Sequence, residues 1–290
     1  MRLQLGEVRI DRIVELEGLG YEPTYFFPEA TMEGFAAERD WLVPHFWDAA
    51  ADTYIRAIQG FVVRTRRHTV LVDACVGEGK ERPSTPAWNG LRSGWLDRLA
   101  ALGVRPEDID YVLCTHLHAD HVGWNTRLVN GRWVPTFPNA RYVFHRVEYR
   151  HWETHGDGMT GPGAMDGAFV DSVLPVMEAG QVALVDDDFA IDDEFVLEPT
   201  PGHSPGHVCI AIQAGGQRAV LAGDVVHHPI QIARPEWNSR FCVDPALART
   251  TRRRFVERHA DTGTVILAAH FASPTAGRIV SNGPRCKFAV

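Results

Sequence analysis

The sequence predicts a layered α/β fold over its 290 residues. Two observations predict it. Short β-branched or apolar runs recur along the chain, each ending in a polar residue able to bind a metal. Stretches with apolar residues at helical spacing separate them, and such alternation is the signature of strands and helices stacked in layers.

Taken in chain order, residues 1–14 alternate polar and apolar side chains and read as an edge strand. They contain no continuous apolar segment of the kind a signal peptide needs. Residues 21–48 form an aromatic-rich arm with Tyr21, Tyr25, Phe26, Phe27, Phe35, Trp41, Phe46 and Trp47. Two readings fit it: a flap packed on its own domain, or an arm that lines a substrate pocket or meets a second subunit, where aromatic residues are enriched. The run 69–72 leads into Asp73. Over 94–102 the spacing of Trp95, Leu96, Leu99 and Leu102 predicts a helix, with Gly103 as its stop. The run 111–115 leads into His116, 195–200 passes through a Pro-Gly turn to His203, and 219–223 leads into Asp224. A second helix is predicted over 244–259, opening at Asp244-Pro245 with proline in the first turn, where its missing N–H is tolerated. The run 264–269 leads into His270. Ligands at several strand ends can converge on one edge, where loops carry function over a rigid scaffold. The expected organisation is a single domain, 1–290.

The formal charge of −8 argues against nucleic acid, which needs a concentrated basic surface. The one basic cluster, Arg252-Arg253-Arg254, shares its helix with Glu257 and Arg258 and reads as a solvated helix face. No stretch approaches the roughly 18 apolar residues of a membrane helix. Cys75, Cys114, Cys209, Cys242 and Cys286 are odd in number, widely spaced and without a C-x-x-C pair. That pattern predicts reduced thiols and a cytoplasmic location rather than a disulfide framework or a zinc knuckle.

The chemistry concentrates in His116-Leu117-His118-Ala119-Asp120-His121, the pattern H-x-H-x-D-H. Neutral imidazoles and a carboxylate suit zinc, and also accept manganese, iron or cobalt; alternating residues in a tight loop can face two adjacent ions. His203 lies in Pro201-Gly202-His203-Ser204-Pro205-Gly206-His207, a turn whose glycines allow close backbone approach. Asp224 follows Ala222-Gly223, and His270 follows Ala268-Ala269. Singly, each residue is more often structural than a ligand. In this order, each at a strand end, they point to a centre of two divalent metal ions.

These motifs resemble the five-motif pattern of the metallo-β-lactamase superfamily, in order and spacing over nearly the whole chain. The resemblance implies an αββα sandwich, two mixed β-sheets flanked by helices. It implies a first metal on His116, His118 and His203, and a second on Asp120, His121 and His270, with Asp224 bridging. It also implies that Asp73 orders the histidine loop from behind. Flavodiiron oxidoreductases carry glutamate where His118 stands, and cysteine-ligated β-lactamases place a thiolate on the second metal; neither pattern is met here. The acidic surface and a missing nuclease insertion disfavour the RNA- and DNA-processing branches, and no basic cluster suits the glutathione carboxylates of glyoxalase-like thioesterases. The run His121-Val122-Gly123-Trp124-Asn125, the stretch at Gly206-His207 and a cover segment over 145–180 are more similar to the N-acyl homoserine lactonase and methyl parathion hydrolase branches. Several lactonases have a tyrosine three residues beyond the bridging aspartate. This chain has His227 there, followed by His228, which resembles the phosphotriesterase-like branch more.

The expected function is metal-dependent hydrolysis of a small apolar carboxylic ester or lactone by a metal-bridging hydroxide, with Asp120 or His227 as general acid. Alternatives on the same residues are phosphotriester or β-lactam hydrolysis; a mononuclear iron persulfide dioxygenase is a third reading. Trp124, Phe26, Phe27, Trp41 and Phe46 are candidates for an apolar pocket wall, with plain core as the alternative for each. His207 reads as a structural partner of the His203 turn. His45, His68, His145, His151, His155, His228 and His259 are given no role. The resemblance and the aromatic arm together suggest a homodimer.

Overall fold

The computed structural model describes residues 1–156, 165–192 and 194–290. Its first ten strands are β1 (Arg2–Leu5), β2 (Val8–Leu19), β3 (Trp47–Asp48), β4 (Thr53–Arg64), β5 (Thr69–Val72), β6 (Tyr111–Leu113), β7 (Thr126–Val129), β8 (Arg132–Pro135), β9 (Arg141–His145) and β10 (Val182–Val185). Then come β11 (Ala190–Ile191), β12 (Phe195–Pro199), β13 (Val208–Ala214), β14 (Gln217–Leu221), β15 (Val265–Leu267), β16 (Ala276–Asn282) and β17 (Arg285–Ala289). One sheet runs β1-β2-β4-β5-β6-β9-β10, with β3 paired to β4; a second runs β11 through β17 in chain order; β7 and β8 form a hairpin. Among the described residues the chain divides into two compact units, one of residues 2–16 and 58–189, the other of residues 1, 17–57 and 190–290.

In the 58–189 unit, β5, β6, β9 and β10 pair in parallel. Parallel strands are covered on both faces and therefore read as unbroken apolar runs, as Val70, Leu71 and Val72 do. Their core joins Val62, Leu71, Trp95, Leu99, Val112, Trp124, Phe137 and Tyr142. The predicted helix appears as Trp95–Ala101. Residues 1–14 form a hairpin, not one strand: the chain turns at Gly6 with φ 52°, which puts β1 at the sheet edge and β2 inside it. Of the cover segment, residues 157–164 lie outside the described residues. Buried Arg82 forks onto the Asp171 carboxylate at 2.7 and 2.9 Å, and so ties down the part that follows.

In the 190–290 unit, β14 and β15 pair in parallel within an otherwise antiparallel sheet. The aromatic arm coils into short helices, Pro23–Phe26, Met32–Ala36 and Arg39–Leu42. Phe27, Phe35, Phe46 and Trp47 are buried in this unit's core with Val226, Ile230, Phe271 and Phe288. These four residues are therefore packed as a flap on their own unit. The second predicted helix is Pro245–His259, where the Asp244 carboxylate caps the N–H groups of Ala246 and Leu247. The solvated-face reading fails for Arg252, which is fully buried while Arg253 and Arg254 are exposed. Among the described residues no helix is long and apolar enough to cross a membrane.

Candidate metal centre

In the first unit the ligand candidates sit on the loops that follow β5 and β6. The strand predicted over 111–115 ends at Leu113 because Thr115 leaves the ladder: its N–H and hydroxyl both turn to Asp73, at 2.8 and 2.9 Å. Asp73 takes a left-handed turn (φ 58°) out of β5 and also accepts the Nδ1–H of His121 at 2.9 Å. The two loops are laced by backbone bonds from Ala74 N–H to the His121 carbonyl, and from Gly123 and Trp124 N–H to the carbonyls of Cys75 and Ala74, each 2.7 Å. Below them a buried Glu15 accepts the Val76 N–H at 2.6 Å and the Trp124 indole N–H at 2.7 Å, and burial pushes its carboxyl above the usual range. Trp124 stacks on Trp95 with ring centres 5.4 Å apart. It is core, not a pocket wall.

On this platform His116, His118 and His121 are buried, with ring centres 4.4 Å apart for the first pair and 4.0 Å for His116 and His121. Ligand atoms of His116 and His118 lie within 4.8 Å of one another, as do those of Asp120 and His121. Asp120 is the least buried member, its side chain 13% exposed. Buried Glu148 accepts the Leu117 N–H at 3.1 Å and the Trp152 indole N–H at 2.6 Å, and Trp152 meets His118 edge-on. Gly123 has no room for a side chain, because a Cβ there would overlap the Val76 carbonyl. Gly123→Ala should therefore cost about 1–3 kcal/mol of stability by overpacking. It should also lower metal content by displacing His121; urea unfolding and elemental analysis check both.

The second unit carries His203, Asp224, His227 and His270. The Asp224 carboxylate stands at the centre, with Nε2 of His203 at 3.3 Å, of His227 at 3.1 Å and of His270 at 3.1 Å. Its backbone is fixed by His207, whose Nε2 accepts the Asp224 N–H at 2.8 Å, so the proton on Nδ1 goes to Thr200 Oγ1 at 2.8 Å. His207 thus anchors Asp224 as well as the His203 turn. That turn needs its glycine: Gly202 has φ 130°, and a Cβ would strike the backbone of Ala248. His270 donates Nδ1–H to the Ala57 carbonyl at 2.9 Å.

Electrostatics separates the histidines. Burial opposes a proton on His203, but the hydrogen bond to Asp224 and contact with Cys242 push it up to about 9. Burial drives His227 the other way, to about 4, against the attraction of Asp224. A place that retains a proton between a buried imidazole and a carboxylate favours positive charge, and the donor set around it is one that divalent ions accept. The geometry fits a metal.

Five supporting residues are not among those to which the sequence gives a role in the site. Glu148 and Trp152 had a legible signal, an acid and an indole four apart on one helix. Glu15, Arg252 and Cys242 had none. Four of the seven histidines given no role have other partners: His228 accepts the Ile230 N–H at 3.2 Å and donates to the Phe46 carbonyl at 2.8 Å, His145 meets Asp187 at 2.9 Å, and His151 stacks on His155.

Against known proteins, the family model of the metallo-beta-lactamase superfamily matches residues 56–270. The N-acyl homoserine lactonase AttM of Rhizobium radiobacter is 29% identical over 175 residues, 58% of this chain and 62% of that protein. The AttM of Azorhizobium caulinodans is 35% identical over 124 residues, 41% of this chain and 43% of that protein. The chain thus spans less than two thirds of the length of these relatives. Among solved structures, the hydrolase AbOPH of the beta lactamase superfamily superposes with a TM-score of 0.80 at 23% identity, covering 99% of this chain and 96% of that one. AidC, a dizinc quorum-quenching lactonase, gives 0.77 at 18% identity with the same coverage. These two are likenesses of fold.

Proposed function

Because the chain belongs to the metallo-β-lactamase superfamily and has its fold, we propose that it is a hydrolase of carboxylic esters or lactones working with two divalent ions, zinc foremost. His116, His118 and His203 would hold one ion, Asp120, His121 and His270 the other, and Asp224 both. The observation that carries this reading is the handling of Nδ1. On His121 it is tied to Asp73, on His270 to the Ala57 carbonyl, and on His116 to Thr115 Oγ1 at 3.1 Å. Fixing Nδ1 sets the tautomer and turns Nε2 to ligation, and such outer partners raise ligand basicity.

When bound, the ions supply Lewis acidity, acidifying water from about 15.7 toward about 7 and polarising a carbonyl oxygen. The protein's own residues do the rest. Asp120, whose side chain keeps some exposure, would take up a proton and return it to the leaving oxygen. His227, kept neutral by burial, donates Nε2–H to Asp224 and steadies that carboxylate. Phe26 lies edge-on to His227 at 5.5 Å and offers an apolar contact. His227→Phe should lower kcat/KM about 10–100-fold with metal content kept, the usual effect of removing an outer partner. Unchanged kinetics would remove His227 from the mechanism.

The lactone reading draws on similarity to relatives named as N-acyl homoserine lactonases. One observation favours phosphotriesters as a second reading: His227 stands where several lactonases carry tyrosine. Acid release by metal-loaded protein, followed with a pH indicator on short- and long-chain lactones, decides between them. Release abolished by a chelator is the expected result. Turnover of aryl phosphotriesters alone would promote the second reading, and no metal-dependent turnover of lactones, esters or phosphotriesters would overturn both.

A further inference from the structure

One further ligand candidate extends the Nδ1 pattern through an unusual partner. His203 Nδ1 stands 3.7 Å from the sulfur of Cys242, inside the reach of a sulfur hydrogen bond. The placement is built in by the backbone: Val243 N–H bonds the His203 carbonyl and Asp244 N–H the Gly202 carbonyl, each 2.9 Å. That pairing holds residue 242 alongside the imidazole. Ser239 Oγ lies 3.6 Å from the same sulfur, and the Arg252 guanidinium also bears on it.

We propose that Cys242 is the positioning residue of His203: its sulfur accepts the Nδ1–H, fixes the tautomer and aims Nε2 toward the ion that His203 would hold. The inference rests on the two-ion reading above and deepens it. His121 uses a carboxylate for this task and His270 a backbone carbonyl. A thiol is a weaker acceptor than either, so His203 is the least firmly braced of these three.

The test separates hydrogen bonding from packing. Cys242→Val keeps the site filled, with a somewhat larger apolar side chain, and loses the acceptor, whereas Cys242→Ser keeps an acceptor and loses volume. Cobalt(II) is titrated into the full-length wild type and both variants, reading visible absorption and competition with a chelator, with circular dichroism as the check on folding. If Cys242 positions His203, the valine variant binds one equivalent about 10–100-fold more weakly with an altered spectrum, and the serine variant stays near wild type. A valine variant with wild-type affinity and spectrum, or a serine variant as impaired as valine, overturns the inference while leaving the two-ion reading intact. A wild type that binds no metal overturns both.

Discussion

Asp224→Ala should lose at least about 10³-fold in kcat/KM, the equivalent of about 4 kcal/mol of transition-state stabilisation, together with most of its bound metal. The carboxylate is the one group that three imidazole Nε2 atoms approach within 3.3 Å. Removing it therefore takes away the proposed bridge and leaves three buried rings without their common partner. Elemental analysis and steady-state kinetics check this together: full activity at full metal occupancy would end the assignment. A pH experiment on metal-free protein isolates the same group. The His203 proton is held up to about 9 in the fold against 6.5 for a free imidazole. A raised pKa stabilises fully below the unfolded value and is lost as pH rises through the folded one. The stability difference between wild type and Asp224→Ala should accordingly be largest below about pH 6.5 and shrink toward about pH 9. A difference that grows with pH would show that the carboxylate does not hold that proton.

The fold was legible because buried parallel strands leave a strong mark. Thr69–Val72 and the runs before His116, Asp224 and His270 are short, apolar and end in a polar residue, and β5, β6, β14 and β15 occupy them. Their boundaries moved where a side chain outcompeted the ladder, as when Asp73 takes the Thr115 N–H. The ligand candidates were visible for a related reason: H-x-H-x-D-H is dense in costly polar groups, and a core tolerates them only when something binds them. What supports them was not visible. Trp124 beside a metal motif suggested a pocket, yet its indole N–H belongs to a carboxylate 109 positions away, Glu15. Cys242 looked like one more reduced thiol, since its distance from His203 is set by a loop register that no local pattern encodes.

Arg252 shows the same limit most sharply, and it carries the largest expected stability effect. Three consecutive arginines give no sign of which one turns inward. In the structure Arg252 donates Nε to the Val225 carbonyl at 2.8 Å, and Nη1 to the carbonyls of Pro235 and Trp237 at 2.9 and 2.8 Å and to Asn238 Oδ1 at 3.2 Å. It clamps both ends of the loop that carries His227 and Gln231. Arg252→Met would strand these acceptors, each worth about 1–3 kcal/mol when buried unpaired. Partial relaxation leaves an expected loss of about 3–5 kcal/mol, less than the sum over the four stranded acceptors. Arg252→Lys should recover little, because one ammonium cannot span acceptors laid out for a planar fork. Arg253→Met, one residue along and exposed, should stay within about 0.5 kcal/mol of wild type. Urea unfolding of the three variants makes the comparison. Equal effects at 252 and 253 would mean that the helix presents this whole basic run to solvent, as the sequence alone suggests. A large loss confined to 252 would establish the clamp. Weaker metal binding in the same variant would then mean that Asp224 and His227 owe their placement to a residue on the far side of the loop.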